Sequence, residues 1–483
     1  MSLLTHYIIT VFIYLQEVFP NFINFFRNLG VFRYILRIFG IKCGMLSFSD
    51  TFKDGVYFIG IGGVSMSALA RLLADRNVHV RGCDARESAF TLKLREAGIP
   101  VTIGEEAITE GTIVYTEAVD VHARLLEQAR MADKRLLTRA QLLGMIAACY
   151  PHVLSVAGCH GKTSATSMLA HVFLHAGRAA TCHIGGEDLD FGNYYATGDE
   201  YFLTEACEFR RSFLSLKSEI AVVLNTDLDH TDCYKSAEEL LAAYASFAAS
   251  ARAVVVNADD ANAVSLPHTM SFGLHAGDVR ATRLYADRER YVFTLTEKNI
   301  PIARIRLNVC GKVQIQNALA AYAAARLAGL APREIAEGLG TFHGVKRRFE
   351  RAGTLGGIPV ICDYAHHPAE IAAAMETASG LCAGTVRVVF QPHTYTRTRD
   401  LMADFVSVLK RAENPIVYRT YAAREKFFFE GSAPALVSRI PEAQYTQSPA
   451  DLKRRLLEEC KTDDLILVLG AGDIDEIVRS ILD

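Results

Sequence analysis

The segment Gly158-Cys159-His160-Gly161-Lys162-Thr163 follows the apolar run Val153–Val156. After it, Met168, Leu169, Val172 and Phe173 fall on one helical face. A strand, a glycine-containing loop and a helix in that order set backbone N–H groups and a helix N-terminus around an anion. Lys162 then offers a point charge to the outer phosphates of a nucleotide, and the Thr163 hydroxyl offers a ligand to Mg²⁺. The two glycines stand closer together than in the common P-loop, so a purely structural strand-to-helix turn is the rival reading.

A second glycine turn, Gly60-Ile61-Gly62-Gly63, follows the strand pattern Val56–Ile59. Asp84 lies about 20 residues further on, where a ribose-binding acid sits in dinucleotide folds. Ser65 occupies the third glycine position of that fingerprint. Three readings stay open: a nicotinamide site, a cradle for the diphosphate of another nucleotide, and a structural turn.

Polar groups collect at the ends of further strand patterns. Tyr201–Leu203 runs to Glu205, and Ala221–Leu224 runs to Asp229 and His230. Open α/β sheets bind ligands at that edge, and a hard cation that shares phosphate oxygens takes oxygen ligands. Glu205 fits such a role directly, and His230 as a ligand or as a partner standing behind one. Pro359–Ile361 leads to Asp363, Tyr364, His366 and His367, while Val386–Phe390 leads to His393, Tyr395, Arg397 and Arg399. A cation beside hydrogen-bond acceptors suits a small zwitterion. Zinc on His366, His367 and His393 is the competing idea, weakened because adjacent histidines point different ways. The basic run Gly344-Val345-Lys346-Arg347-Arg348-Phe349 lies between the last two blocks, where an Arg can reach a transferring phosphoryl group as domains close.

These groups need a scaffold of alternating short strands and helices, repeated in three doubly wound α/β blocks. A length of 483 residues agrees with about three domains. Hydrophobic residues at 50% and charged residues at 22% exclude disorder, collagen and coiled coil. Lys plus Arg at 51 against Asp plus Glu at 54 leaves a net charge of -3, so nothing global favours nucleic acid. The eleven Cys include no CxxC pair, which fits reduced thiols in a cytoplasmic protein.

Residues 1–45 are different in kind. Ten of the first 44 residues are Phe or Tyr, and the uncharged stretch Leu3–Gln16 is too short to span a bilayer. An interfacial amphipathic appendage, a packed extension and upstream translation before a start at Met45 are the three readings.

Taken together, the motifs resemble the Mur ligase family, the ATP-dependent amide-forming enzymes of peptidoglycan assembly. The resemblance runs from about Gly55 to Asp483 and rests on Gly60–Ser67, Ala157–Thr163, Ile184–Gly186 with Gly192-Asn193, and Asn225–His230. It continues through Gly344–Phe349, Asp363–Glu370, Phe390–Thr398 and Gly470–Asp473. It implies a Rossmann-like UDP-binding domain over 46–150, a central P-loop-type ATPase domain over 151–341 and a C-terminal Rossmann-like amino-acid-binding domain over 342–483. The branch it resembles most implies ATP and Mg²⁺ as cofactors and UDP-N-acetylmuramate and L-alanine as substrates, with no nucleic acid and no membrane span. A carboxylate would be phosphorylated by ATP and the acyl phosphate attacked by an amine.

Position by position, the resemblance implies that Gly158, His160, Gly161, Lys162, Thr163, Asn317, Arg348 and Asp363 hold ATP. Thr163, Glu205 and His230 hold the metal. Gly60, Gly62, Gly63 and Asp84 hold the UDP-sugar, and Tyr364, His366 and Arg397 the amino acid. Lys162, Glu205, His230, Arg348 and His366 carry the catalysis. The chain departs from the family pattern at Val313-Gln314 before Asn317, at Cys159, at Thr394 and across Glu205–Ser212, where Cys207 replaces an acid. A relative that attaches a preformed peptide to the same nucleotide sugar, a nicotinamide oxidoreductase and a non-catalytic nucleotide-binding scaffold are the alternatives.

Overall fold

The computed structural model describes residues 48–483 apart from 117–118, 120–122, 228–232, 235, 288–289 and 424. The aromatic segment 1–45, Asp229 and His230 therefore lie outside the described residues. The chain falls into two units, Met1–Lys53 and Asp54–Asp483. In the first, the described element is the one-turn helix Phe48–Thr51. No described helix is long and apolar enough to cross a membrane.

The second unit carries three sheets among the described residues. The first is five-stranded and parallel, in the spatial order Val101–Ile103, Val80–Asp84, Val56–Ile59, Thr112–Tyr115, Arg135–Thr138. Its central strand Val56–Ile59 is buried along its whole length, as its continuous apolar run requires of a strand covered on both faces. The neighbouring strand runs Val80–Asp84. Arg81 and Gly82 interrupt the apolar run, and parallel pairing from Val56↔Val80 to Ile59↔Cys83 overrides them.

The central sheet has ten strands. Its parallel middle follows the order Ala253–Asn257, Ile220–Val223, His152–Ala157, Tyr201–Glu205, Ala180–Asp188. The phosphate-loop strand His152–Ala157 is thus interior to the sheet, flanked by the two strands that end near Glu205 and Asn225. The antiparallel meander Val279–Asp287, Arg290–Glu297 and Ile300–Leu307 extends one edge, and Gly192–Ala196 closes the other. The meander departs from the doubly wound pattern. Its strands are half solvated, so polar and exposed residues break up the apolar ones, as Arg304 and Arg306 do beside the buried Ile305 and Leu307. The alanine-rich helix Lys312–Leu327 packs on the phosphate-loop helix Lys162–His175, and both contribute to one large core.

The third sheet is six-stranded, in the order Glu350–Leu355, Ile358–Asp363, Leu465–Leu469, Val386–Phe390, Ile416–Tyr418, Gln444–Thr446. It is parallel except for its first strand, which folds back antiparallel on Ile358–Asp363. Asp363, Gln391 and Gly470 consequently lie at one edge of this sheet, at or just past the C-terminal ends of three adjacent strands.

Candidate active site

The phosphate loop closes on itself. Gly161 is the N-cap of the helix Lys162–His175 and adopts φ 84°. A Cβ there would stand 2.5 Å from Asn317 Oδ1, so both the backbone angle and the space select glycine. His160 N–H donates to Asn225 Oδ1 at 2.9 Å, and Asn225 Nδ2 donates back to the His160 carbonyl at 3.0 Å. Lys162 Nζ reaches Glu208 at 2.9 and 3.1 Å and donates to the Gly158 and Cys159 carbonyls. Burial opposes the ammonium charge, yet Glu208 outweighs it and the Lys162 pKa is raised. The lysine is therefore charged and held in the loop before any phosphate arrives.

Thr163 and Glu205 meet across two adjacent glycines of the strand Ala180–Asp188. A Cβ on Gly185 would lie 2.5 Å from Glu205 Oε2, and one on Gly186 would lie 2.6 Å from Thr163 Cγ2. Glu205 Oε1 accepts the Gly185 N–H at 2.7 Å. The glycine pair thus lets the Thr163 side chain, through its methyl, and the Glu205 carboxylate approach the same backbone. Both are oxygen donors of the kind Mg²⁺ prefers.

A cavity of about 330 Å³ lies between the central and third sheets, lined by His160, Gly161, Asn317, Arg348, Asp363 and Glu370 among others. Asn317 is buried and donates to Gln314 Oε1 at 3.2 Å. Val313 and Gln314, which depart from the family pattern, both line this cavity. Gln314 hence takes part in the wall as the partner that orients Asn317.

Asp363 accepts the Phe349 N–H at 2.8 Å and the Ala365 N–H at 2.7 Å. Burial pushes its carboxyl up to about 6 against the pull of Arg348. Glu370, named by no sequence argument as a site residue, is the hub. Its carboxylate takes His160 Nδ1 at 2.9 Å and the backbone N–H groups of His366 at 3.0 Å and His367 at 3.2 Å. Burial opposes its charge, but His366, His160 and Arg348 hold it well below the usual carboxylate range. The sequence signal for it was its place three residues into a helix behind His367 and Pro368, as in a capping box.

The expected amino-acid residues also converge. Tyr364 lies under both Arg347 and Arg348, each guanidinium carbon 4.8 Å from its ring centre. Ring centres run from Tyr364 to His366 at 5.4 Å, from His366 to His393 at 5.9 Å and from His393 to Tyr421 at 5.5 Å. Arg397 Nη1 lies 3.3 Å from His393 Nδ1. His367 instead turns its ring to His160, with centres 5.2 Å apart. The three histidines considered for zinc therefore do not converge.

The first-domain turn borders a cavity of about 840 Å³, lined by Gly60, Gly62, Gly63, Asp84 and Arg86 and, from the third domain, by Tyr421 and Ala423. Asp84 Oδ2 accepts the Gly62 N–H at 2.8 Å. Ser65 is spent elsewhere, 2.9 Å from His183 Nε2 in the central domain. Burial, helped by the Arg139 charge, pushes the His183 pKa down to about 3, so this contact is made by a neutral ring.

Comparison with known proteins agrees with this geometry. Three Mur ligase family models match end to end: the catalytic domain over residues 55–150, the middle domain over 156–325 and the glutamate ligase domain over 347–472. The chain is similar to the UDP-N-acetylmuramate--L-alanine ligase of Clostridium novyi, 36% identical over 444 residues, covering 89% of this chain and 97% of that one. A relative of the same description from Caldicellulosiruptor bescii is 35% identical, with 88% and 98% covered. Among solved structures, the UDP-N-acetylmuramate-alanine ligase of Thermotoga maritima superposes with a TM-score of 0.77 at 26% identity, covering 88% of this chain and 98% of that one. A murein peptide ligase of Psychrobacter arcticus shares the fold, with a TM-score of 0.68 at 22% identity over 88% of this chain and 98% of its own. With three domain models matched in order and full-length relatives above 30% identity, this chain belongs to the Mur ligase family.

Proposed function

We propose that this ligase joins L-alanine to the lactyl carboxylate of UDP-N-acetylmuramate at the expense of ATP. The observation that carries the mechanism is Glu370, whose carboxylate bonds His160 of the phosphate loop and, through their backbone N–H groups, His366 and His367 at the amino-acid cluster. Phosphoryl transfer and amine attack thereby share one wall. UDP-N-acetylmuramate is assigned to the first-domain cavity, with Asp84 fixing the Gly62 turn. ATP is assigned to the cavity bounded by Gly161, Asn317, Arg348 and Asp363.

A substrate carboxylate oxygen attacks the γ-phosphorus, the bond to the β-phosphate oxygen breaks, and ADP leaves. Lys162 and Arg348 spread the charge on the transferring group. Thr163 and Glu205 supply a donor set that fits Mg²⁺, and His230 is assigned beside them. A bound Mg²⁺ would neutralise developing phosphate charge. The alanine amine then attacks the acyl carbon and inorganic phosphate departs with the former carboxylate oxygen. His366, with Nδ1 3.0 Å from the Tyr364 carbonyl, is assigned the amine proton. Arg397 would hold the amino-acid carboxylate.

A phosphate-release assay with UDP-N-acetylmuramate and ATP tests the assignment. L-Alanine should drive release, whereas release with a tripeptide but not with L-alanine would transfer the chain to the peptide-adding branch.

A further inference from the structure

A polar cluster outside the ligase site sits behind the phosphate-loop helix, where the central domain passes into the linker to the third. His171 comes from the helix Lys162–His175, Asp188 ends the strand Ala180–Asp188, Asp190 follows it, and Thr341 and His343 belong to the linker. His171 Nε2 lies 3.1 Å from Asp188 Oδ2 and 3.5 Å from Asp190 Oδ2. Asp190 Oδ2 is 2.9 Å from His343 Nδ1. The side chain of His171 is 7% exposed and that of Asp188 0%.

Proton accounting makes the cluster informative. The Thr341 hydroxyl donates to the Gly338 carbonyl at 2.8 Å, so it can only accept from His171 Nδ1, 3.1 Å away. The Nδ1 proton is then committed, and a neutral His171 turns the Nε2 lone pair toward two carboxylates. Acceptor facing acceptor, buried at Asp188 and 43% exposed at Asp190, calls for a positive charge between them. Asp188 is already anchored. Its Oδ1 accepts the N–H groups of Asp190 at 2.8 Å and Phe191 at 3.3 Å, and its Oδ2 accepts the Ser167 hydroxyl. Phe191 and Phe342 pack on the His171 ring. Bonds of about 2.0–2.1 Å in a tetrahedron put ligand atoms roughly 3.3 Å apart. The observed separations bracket that spacing, and the Thr341–His171 bond supplies the second-atom anchor that metal-bound histidines use.

We propose that His171 Nε2, Asp188 and Asp190 bind one zinc-type divalent cation, with His343 completing or orienting the set. The linker runs on from there through the Asp188↔Val345 bridge and the Lys346 N–H bond to the Glu187 carbonyl at 2.8 Å, to reach Arg348. Occupancy therefore clips the linker that carries Arg348 to the central domain. The site is separate from the phosphate loop, and its test does not depend on the ligase reading.

Zinc chloride is titrated calorimetrically into the full chain after chelator dialysis, in saturating Mg²⁺, and thermal melting is followed in parallel. The expected result is one saturable zinc per chain and a raised Tm. His171→Gln and Asp190→Asn should each bind at least about tenfold more weakly and lose the Tm rise. Absence of saturable binding would overturn the proposal and leave an imidazolium as the charge in the cluster. Unchanged binding in both variants would overturn it too, by placing the zinc elsewhere, at cysteines for example.

Discussion

Gly60–Gly63 and Gly158–Gly161 begin as the same device, a buried parallel strand turning through glycine into a helix N-terminus. They end as different ones. The central loop carries its own cation, Lys162, and pairs it with Glu208 before any substrate is present. The first-domain loop carries none, and the helix after it has no charged residue in its first turn. The Asp84 side chain is spent on holding the Gly62 N–H. On the proposed assignment, the central loop moves a phosphoryl group and carries a buried ion pair. The other holds a diphosphate that does not react, through its shape and backbone dipoles with Arg86 in the cavity wall. The cavities match this division, about 330 Å³ at the reacting site against about 840 Å³ at the holding one.

Breaking the comparison at its strongest point means removing Lys162. Lys162→Ala should lower kcat about 10²–10³-fold, the scale for losing one donor to a charged transition state. Because the buried Glu208 carboxylate would lose its ammonium partner, a destabilisation of about 3–5 kcal/mol is also expected. The double variant Lys162→Ala/Glu208→Gln should recover the stability and not the rate, measured by urea unfolding beside phosphate release. Recovered rate would make the ion pair structural only.

At the holding loop, Asp84→Ala should raise KM for the UDP-sugar about tenfold, on the scale of one hydrogen bond to a charged group, with kcat and the KM for ATP unmoved. A fall in kcat with KM constant would contradict the division of labour. Gly161→Ala forces a side chain into a left-handed N-cap and against Asn317, so a loss of about 1–3 kcal/mol is expected in thermal or urea unfolding.

A subtler difference concerns pH. The Asp363 pKa is raised by burial to about 6, so the folded state binds this proton more tightly than the unfolded chain. Its contribution to stability is therefore present at low pH and lost as pH rises through about 6. Asp363→Asn should remove that slope, so wild type should lose ground to the variant between about pH 4 and pH 7 in urea titrations. A constant difference across that range would mean that the carboxyl is ionised throughout.

Sequence reading reached the placement of side chains where a motif is local. The phosphate loop and the strand-end positions of Glu205 and Asp363 come from short runs, while the roles expected of Tyr364, His366 and Arg397 came from the family resemblance. It did not reach Glu370 as the hub, because that role depends on His160 arriving from 210 residues away in sequence. Nor did it see that Gln314 orients Asn317, or that Ser65 departs from the glycine fingerprint in order to meet His183 across a domain boundary. The antiparallel meander was lost for a different reason: its half-solvated strands interrupt their apolar residues with polar ones, as Arg304 and Arg306 do in Ile300–Leu307. A strand buried on both faces, Val56–Ile59, was legible to the residue.

The central claim, a carboxylate activated by phosphorylation and then captured by alanine, has a direct isotopic test. UDP-N-acetylmuramate carrying ¹⁸O in its lactyl carboxylate is converted with ATP and L-alanine, and the released phosphate is analysed by mass spectrometry. The expected result is one carboxylate oxygen in each phosphate, formed in step with the alanyl amide. Unlabelled phosphate accompanying amide formation would contradict the acyl-phosphate route.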